Sequence, residues 1–190
     1  MATAIDARER ILDTAYDLFS RRGIRAVGID AIIAQSGVAR MTLYRHFGSK
    51  EALVLAFLER RDERWTRSWL QAEVEHRADD PAERLLAVFD VFGEWFRRAD
   101  FEGCSFINVM LEAADPEDPV HRAGRDYLAA IRGYLEGLAR QAGAADPDDL
   151  ARKWHILMKG SIVAAAEGDA DAGRRAQEIG RLLLRETAAG

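Results

Sequence analysis

The spacing of apolar residues along this chain is that of α-helices. Apolar side chains return every three or four positions, and no segment alternates between apolar and polar residues as a strand does. All four prolines follow an aspartate, a pair that suits a helix start because aspartate caps the helix and proline fits its first turn. The predicted helices span residues 6–22, 29–36, 39–46, 49–77, 81–98, 103–114, 119–142, 147–167 and 171–188. The pattern therefore predicts an all-α chain of about nine helices.

Two short predicted helices meet at a glycine near the N-terminus. Three isoleucines share one face of the first helix, and Leu43 and Phe47 share one face of the second. Gly37 lies between the two helices, where glycine tolerates the positive φ that a sharp turn needs. The residues left on the outside of the second helix or at its margins are Arg40, Met41, Thr42, Tyr44, Arg45 and His46. Polar, basic and aromatic side chains in this position are typical of a helix-turn-helix that reads DNA.

A resemblance to a known family lies in residues 37–50, which read GVARMTLYRHFGSK. This stretch resembles the TetR family of bacterial repressors, whose pattern runs from an apolar first helix through a Gly-Val turn to Thr-Leu-Tyr-x-His-Phe-x-x-Lys. The match covers roughly residues 6–55. It departs from the pattern at Gly28 and Ala39, where a polar residue often caps the helix, and at Met41, where a small residue is common. The resemblance implies a three-helix helix-turn-helix domain, assigned to residues 1–50, and a helical effector-binding and dimerisation domain, assigned to residues 51–190.

The resemblance also implies roles for individual side chains. The residues expected to face the DNA groove are Arg40, Met41, Thr42 and Arg45, and those expected to hold backbone phosphates are Tyr44, His46 and Lys50. The chemistry of these side chains agrees, because arginine can bond guanine O6 and N7 and a tyrosyl hydroxyl can donate to a phosphate. Ser49 can cap the next helix, which would place Lys50 beside the positive end of that helix, a position suited to an anion.

Charge is distributed unevenly along the chain. The net charge is −5, but residues 1–50 contain eight basic and five acidic residues and so carry +3, which leaves −8 on the remainder. A basic N-terminal end would orient toward DNA, and an acidic remainder would limit indiscriminate adhesion. This distribution is compatible with double-stranded operator DNA as a partner.

Large apolar side chains are concentrated in residues 81–142. Two interpretations are open: these residues pack the core, as most such residues do, or some of them line a cavity for a small effector, as the resemblance implies. Asn108, which stands among apolar neighbours, would then orient the ligand. The effector is expected to be apolar or aromatic. The candidate effector-binding residues are Phe89, Phe92, Trp95, Phe96, Phe106, Asn108, Met110 and Tyr127.

The last two predicted helices carry small and branched residues that would let helices approach closely. These residues either close the monomer or form a four-helix seam between two copies of the chain. A twofold dimer would present its two reading helices to half-sites ~34 Å apart, or a multiple of that distance. The candidate dimer residues are Ile156, Gly160, Val163, Ala164, Ala176, Ile179 and Leu183.

An enzyme is the rival class of function, and the sequence gives it little support. The four histidines lie far apart, and neither a His-Glu-x-x-His motif nor a cysteine pair is present. An oxygen and nitrogen metal site could be drawn from the residues Glu112, Asp115, Asp118 and His121, but their spacing straddles two prolines and favours a solvated loop. No catalytic residue, metal or cofactor is therefore expected.

Length and composition set the broad class of the protein. With 190 residues, of which 48% are hydrophobic, the chain can form one domain or two small ones with a sizeable core. It contains no run of about 18 apolar residues, the length that suggests a membrane span. The first residues do not resemble a secretory signal, and the single cysteine, Cys104, excludes an internal disulfide. We therefore expect a cytoplasmic protein.

These patterns predict a dimeric transcriptional repressor that a small-molecule effector releases from a palindromic operator. The alternative is an all-helical protein-interaction module without specific DNA readout. That alternative gives no role to the outward side chains of Arg40, Tyr44, Arg45 and Lys50.

Overall fold

The computed structural model describes residues 6–188, and no strand occurs among them. The helices are α1 (Ala7–Arg22), α2 (Ile29–Ser36), α3 (Arg40–Phe47), α4 (Lys50–Arg61), α5 (Ala72–Arg77), α6 (Pro81–Phe96), α7 (Ser105–Glu112), α8 (Pro119–Gln141), α9 (Pro147–Ala166) and α10 (Ala172–Ala188). A π-helical segment, Asp62–Gln71, connects α4 to α5 without a break. If residues 50–77 are taken as one helix, the described part of the chain has nine helices, and the predicted all-α class is confirmed.

The long helix predicted over residues 49–77 is present, but its middle is π-helical, with backbone hydrogen bonds between residues five positions apart instead of four. Asp62–Gln71 is π-helical, and within it the rings of Trp65 and Trp69 lie 5.5 Å apart. Trp65 also packs against Trp95 of α6, with 4.9 Å between ring centroids. Apolar periodicity identifies a helix, but it does not distinguish an α pattern from a π pattern over two turns.

Three of the four Asp-Pro pairs begin helices, as predicted. The carboxylate of Asp80 accepts two backbone N–H groups at 2.9 and 3.0 Å, and Asp146 and Asp118 each accept one, at 3.0 and 2.7 Å. The pair Asp115-Pro116 begins a turn instead, in which Asp115 accepts a backbone N–H at 3.0 Å. Aspartate before proline favours either structure, because both need an acceptor for free N–H groups.

The residues form two compact units. The first unit comprises Met1–Glu63 and Cys104–Tyr127, and the second comprises Arg64–Gly103 and Leu128–Gly190. This division differs from the domain boundary expected after residue 50, because α4, α7 and the first part of α8 belong to the same unit as α1–α3. Local sequence patterns give no sign of this association, which depends on contacts between segments far apart in the chain.

The core of the first unit is built on Phe57 of α4. Its ring lies 5.5 Å from the ring of Tyr16 and 5.5 Å from that of Phe19, in edge-to-face geometry with both side chains of α1. Phe57 is fully buried, and Leu43 of α3 is also fully buried. Aromatic pairs in this geometry stabilise a core by about 0.5–1.5 kcal/mol each beyond the burial of their surface.

Polar contacts join α1 and α4 beside this core. Arg60 of α4 binds Glu9 at 2.6 Å and Asp13 at 2.9 Å. Its neighbour Arg61 is buried and donates a hydrogen bond to the hydroxyl of Tyr16 at 2.9 Å. The side chain of Arg60 is only 12% exposed, so its ion pairs are less screened than pairs at an open surface. These contacts fix α4 against α1.

Two side-chain hydrogen bonds in the second unit reach backbone carbonyl groups of α6. The indole Nε1 of Trp154, on α9, donates to the carbonyl oxygen of Leu85 at 3.1 Å. The amide of Gln177, on α10, donates to the carbonyl oxygen of Leu86 at 3.1 Å. Both donors are buried, so each hydrogen bond satisfies a polar group that water cannot reach.

Two glycines of α10 allow close helix packing in the second unit. A Cβ added at Gly173 would lie 2.8 Å from the carbonyl oxygen of Phe89 and 2.9 Å from the backbone nitrogen of Gly93, both on α6. A Cβ added at Gly180 would lie 2.7 Å from the indole ring of Trp154. Helices α6, α9 and α10 are therefore packed at distances that only glycine permits at these two positions.

His155 of α9 is buried in the second unit, with 3% of its surface exposed. Burial, with the nearby positive charges of Lys159 and Arg132, lowers the pKa of its imidazole from 6.5 to about 4. In the unfolded chain His155 takes up a proton when the pH falls to about the ordinary pKa of histidine. In the folded chain the same imidazole stays neutral until the pH is lower. The folded state loses stability as the pH falls through this window.

We expect His155→Gln to reduce the loss of stability on acidification. Between about pH 7 and about pH 4.5 the wild-type protein should lose on the order of 2 kcal/mol more unfolding free energy than the variant. Urea unfolding of both proteins at the two pH values measures the difference, and each protein is compared only with itself. Equal losses in both proteins would contradict the buried neutral imidazole.

None of the helices among residues 6–188 has the length and apolar character needed to cross a lipid bilayer.

Candidate functional site

The turn between α2 and α3 is made by the predicted glycine. Gly37 has φ 67° and ψ 27°, the left-handed conformation, and its N–H donates to the carbonyl oxygen of Ile33 at 3.1 Å. Val38, which follows, is buried. Because non-glycine residues are strained in this conformation, the sequence turns sharply here, and the predicted pivot is confirmed.

Helix α3 has one buried and one exposed face. Leu43 and Phe47 are buried, whereas Met41 is 78% exposed and Tyr44 is 38% exposed. Of the other residues expected to contact DNA, Arg40 and Arg45 are exposed and Thr42, His46 and Lys50 are partly exposed. The predicted inward and outward faces of this helix are therefore confirmed, although DNA contact itself stays a prediction.

Neither α2 nor α3 has a side-chain cap at its N-terminus. Gly28 precedes α2 and Ala39 precedes α3, and neither provides a hydrogen bond to the first turn. These are two of the three positions at which the sequence departs from the family pattern. The backbone N–H groups of both first turns are thus left without a capping side chain.

The N-terminus of α4 is the position at which the sequence predicts an anion contact. The hydroxyl oxygen of Ser49 accepts the backbone N–H of Ala52 at 3.0 Å, so Ser49 caps the helix as predicted. Lys50 is the first residue of α4 and is partly exposed. Its ammonium group adds to the positive potential of the helix N-terminus, where a phosphate oxygen is stabilised.

His46 lies differently from the other residues expected to hold phosphates. Its side chain is partly buried, and its Nε2 atom is shielded from solvent and has no hydrogen-bond partner among the described residues. In this structure Nε2 is therefore not accessible to a phosphate oxygen. Tyr44, whose side chain is exposed, and Lys50 are better placed to contact a phosphate.

Two contacts of side chains on α3 were not predicted from the sequence. Asp30 of α2 forms an ion pair with the guanidinium of Arg40, and both side chains are exposed. Arg8 of α1 lies over the ring of Phe47, 5.2 Å from its centroid. An exposed ion pair is worth less than about 1 kcal/mol, so the Asp30 contact orients Arg40 without preventing it from binding a base. No local pattern signals either contact, since both join separate helices.

Four of the candidate effector residues lie in the first unit. Phe106 is buried and stacks on Tyr127, with 5.1 Å between ring centroids and 24° between ring planes. Met110 is partly exposed, and Asn108 is exposed. The amide of Asn108 is thus on the outside of α7 rather than among buried apolar side chains, where it was expected to orient a ligand.

The other four candidate effector residues lie in the second unit, within an aromatic cluster of α6 and its neighbours. Phe89, Phe92 and Trp95 are buried and Phe96 is partly exposed. The ring of Trp95 contacts that of Phe92 at 5.5 Å between centroids and that of Phe101 at 4.8 Å. These distances are those of rings in mutual contact, so the cluster serves as core packing in this structure.

The first unit also contains a cavity of about 350 Å³ beside α4 and α7. Its lining includes Ile24, Arg25, Lys50, Val54, Glu112 and Val120. The valines and the isoleucine are buried and form an apolar floor, whereas charged side chains of both signs surround it. Lys50, the candidate phosphate contact, thus borders the same space as Glu112 of α7.

The four residues weighed as a metal site have other partners. Glu112 and Asp115 each accept a backbone N–H, at 2.7 and 3.0 Å. Asp118 caps α8, and Nδ1 of His121 lies 2.6 Å from the carbonyl oxygen of Ala113. Within residues 6–188, no three histidine, cysteine, aspartate or glutamate side chains are arranged to hold a metal ion. Asp115, Asp118 and His121 shape the connection between α7 and α8, whereas Glu112 binds the loop between α1 and α2.

An exposed apolar face lies in the second unit on α9 and α10. On α9, Ile156 is 67% exposed and Val163 is 54% exposed. On α10, Ile179 is 47% exposed and Leu182 is 56% exposed, and Leu182 was not among the candidate dimer residues. Gly160 is exposed too, whereas Ala164 and Leu183 are partly exposed. Ala176 alone among the candidate dimer residues is buried, at 5%, so it belongs to the interior of the unit.

Two family models match the chain. Residues 11–57 match the model described as bacterial regulatory proteins, tetR family. Residues 81–179 match the model described as the tetracyclin repressor-like, C-terminal domain. The first match contains all of α2 and α3, and the second contains α6 to α9.

Individual relatives are similar over most of the chain. An uncharacterised HTH-type transcriptional regulator of Mycobacterium tuberculosis is 40% identical over 161 residues, which are 83% of this chain and 74% of the relative. The HTH-type transcriptional repressor NemR of Escherichia coli is 26% identical over 143 residues, 70% of this chain and 69% of the relative. SCO4454, a TetR-family transcriptional regulator from Streptomyces coelicolor, has a solved structure with a TM-score of 0.87, at 32% identity over 95% of both chains.

Proposed function

We propose that this chain, which belongs to the TetR family of bacterial transcriptional regulators, is a homodimeric repressor that a small molecule releases from a palindromic operator. Members of the family bind operator DNA and are not enzymes, so the chain is a DNA-binding transcriptional regulator. The repressor role, the effector and the dimer are the further steps of the proposal.

The exposed face of α3 carries the proposal of operator recognition. Arg40, Met41 and Arg45 project from a short helix whose opposite face is buried, and α3 follows a sharp glycine turn. An arginine can discriminate guanine in the major groove, and an exposed methionine can contact the thymine methyl group. Tyr44 and Lys50 are the residues that we assign to the phosphates.

The exposed apolar face of α9 and α10 supports the proposal of a homodimer. Four large apolar side chains lie about half exposed or more in one unit, which is costly for a protein that stays monomeric. Pairing of this face about a twofold axis would cover it and would present two copies of α3 to two half-sites. A palindromic operator follows from this symmetry.

Release by an effector rests on the family and on the candidate effector residues of α7, because the aromatic cluster of α6 is packed as core. NemR, one of the relatives, is a transcriptional repressor, which favours repression for this chain as well. A ligand that prefers the state with low DNA affinity needs a coupling of only ~1–3 kcal/mol to weaken operator binding about 5- to 150-fold. The expected ligand is a small apolar or aromatic molecule.

Selection from a random duplex library, at two salt concentrations, tests the proposed DNA recognition. Enrichment of a palindrome is expected, because two copies of α3 would read two half-sites. Enrichment of a single unsymmetrical half-site would contradict the dimer, and the absence of any enriched sequence would contradict specific recognition. The enriched duplex then serves as the operator in the experiments below.

Arg40 and Lys50 are expected to contribute in different ways. Arg40→Ala should lower the discrimination between operator and unrelated duplex by about 1–3 kcal/mol, because it removes a contact to a base. Lys50→Ala should weaken binding to both duplexes alike and lower the salt slope by about one, because it removes one phosphate contact. Fluorescence anisotropy titrations at several salt concentrations measure both effects. Arg140→Ala, on α8, is the control, because it removes an exposed positive charge that belongs neither to the expected DNA contacts nor to the candidate dimer residues. An equal loss on every duplex for Arg40→Ala and Lys50→Ala would contradict the division of roles.

A further inference from the structure

The loop between α1 and α2 is bound by a carboxylate from a distant part of the chain. Oε2 of Glu112, the last residue of α7, accepts the backbone N–H of Arg25 at 2.7 Å. The two residues are 87 positions apart in sequence and belong to the same compact unit. This hydrogen bond joins α7 directly to the segment that leads into the helix-turn-helix.

The backbone of the loop is shaped to accept this carboxylate. Gly23 has φ +78°, and a Cβ added there would overlap Oε1 of Glu112. Ile24, the next residue, is buried, so the loop is held on its other side by the core. One oxygen of Glu112 therefore lies against Gly23 while the other binds Arg25. A carboxylate that contacts backbone at two successive points fixes the path of that backbone.

Helix α7 carries this contact at one end and candidate effector residues along its length. Phe106, Asn108 and Met110 precede Glu112 on a helix of only eight residues. A Cβ added at Gly124 of α8 would lie 3.0 Å from the carbonyl oxygen of Phe106 and 3.2 Å from Cβ of Met110. Because α7 is this short and this tightly packed on the start of α8, a shift at Phe106 or Met110 displaces Glu112 as well.

Space beside the contact allows such a displacement. The cavity of about 350 Å³ is lined by Arg25 and Glu112 and also by Lys50 and Val54 of α4. The carboxylate of Glu112 thus borders space that it can occupy after leaving Arg25. The same movement changes the surroundings of Lys50, the candidate phosphate contact.

We propose that Glu112 is the positioning residue through which α7 holds the α1–α2 loop, and with it the helix-turn-helix, in the arrangement that binds operator DNA. Withdrawal of Glu112 from Arg25 releases the loop and lowers operator affinity. The positioning role of Glu112 requires only that the protein binds operator DNA. Its withdrawal from Arg25 by an effector rests, in addition, on the proposed function.

Amide hydrogen exchange and operator binding of Glu112 variants test the proposal. In Glu112→Ala the N–H of Arg25 loses its acceptor and should exchange about tenfold faster than in the wild type. Operator affinity, measured with the selected duplex, should fall roughly three- to tenfold, because the lost bond is charge-assisted but lies near the surface. Glu112→Gln keeps an oxygen that can accept the N–H, and it should restore affinity to within about twofold of the wild type.

The matched control is Glu117→Ala, which removes one carboxylate from the loop that follows α7. The side chain of Glu117 is 84% exposed, and its ion pair within residues 6–188 is with Arg122 at 3.1 Å, so its removal should leave both readouts unchanged. Thermal unfolding of each variant shows whether any loss of affinity comes from unfolding.

Each outcome decides one part of the proposal. Faster exchange at Arg25 with unchanged operator affinity would overturn the positioning role, and an equal loss in Glu112→Gln would assign the effect to charge rather than to the hydrogen bond. Unchanged exchange in Glu112→Ala would overturn the contact itself. Because exchange is measured without DNA, its result stands even if the selection enriches no operator, an outcome that would contradict the proposed function instead.

Discussion

Replacement of both Ile156 and Val163 by aspartate is expected to separate the protein into monomers and to lower operator affinity at least about 100-fold. The two residues lie seven positions apart on α9, which is two helical turns, so they share one face. They are 67% and 54% exposed in the second unit, so aspartates at these positions are solvated in the monomer and cause no internal clash. In a dimer the same carboxylates would be buried in an apolar seam, where each loses its hydration.

The loss of DNA affinity follows from the loss of the second half-site. A monomer binds one half-site at a time, whereas in a dimer the second α3 binds at a high effective concentration once the first is bound. Sedimentation equilibrium gives the oligomeric state, and anisotropy titration of the selected duplex gives the affinity. Ala130→Asp, at an exposed position of α8, is the control for the added charge. A variant that stays dimeric at the wild-type concentration would place the dimer interface on a different surface.

The positions of the helices could be predicted from the sequence because their signals are local. Apolar periodicity marks each helix, and Asp80, Asp118 and Asp146 cap the helices that follow them. Gly37 adopts the left-handed conformation that the turn of the helix-turn-helix requires. The two faces of α3 follow from the same periodicity, since Leu43 and Phe47 must be buried.

The contacts that connect the helices could not be predicted, because they join residues that are distant in sequence. The bond between Glu112 and Arg25 spans 87 positions, and in the sequence Glu112 was assigned to a solvated loop. The ion pair of Asp30 with Arg40 depends on how α2 packs on α3. The first unit includes α7 because of such contacts as well. The predicted boundary after residue 50 followed the end of the helix-turn-helix motif, so it left α7 out of the N-terminal domain.

The interpretation of the aromatic residues of α6 and α7 was left open by the sequence for a physical reason. A core and an apolar ligand cavity need the same side chains, and only the packing distances distinguish them. In the second unit the centroids of the five rings around Trp95 lie 4.8–6.5 Å from the centroid of its own ring, the distances of packed aromatic side chains. Asn108, chosen as a polar group within such a cavity, is exposed because it lies on the solvent side of α7.

Trp154→Ala is expected to destabilise the protein by about 3–5 kcal/mol, the range for a large aromatic residue removed from a core. Trp154 is fully buried, its ring lies 5.4 Å from that of Phe89, and its Nε1 donates to the carbonyl oxygen of Leu85. The ring also contacts α10 at Gly180, where no Cβ can be accommodated. Its removal opens a cavity bordered by α6 and α10, two helices that cannot close it without losing the contacts at their glycines.

The substitution Trp154→Phe separates the packing contribution of Trp154 from that of its hydrogen bond. Phenylalanine can keep the contact with Phe89, but it leaves the carbonyl oxygen of Leu85 without the indole donor, so a smaller loss of about 1–2 kcal/mol is expected. Urea unfolding followed by far-UV circular dichroism measures both values, at one fixed protomer concentration because dimerisation would add to the apparent stability. Since α9 and α10 carry the exposed apolar face, Trp154→Ala should also weaken the proposed dimer. A loss below about 1 kcal/mol for Trp154→Ala would show that α6, α9 and α10 do not depend on this residue for their packing.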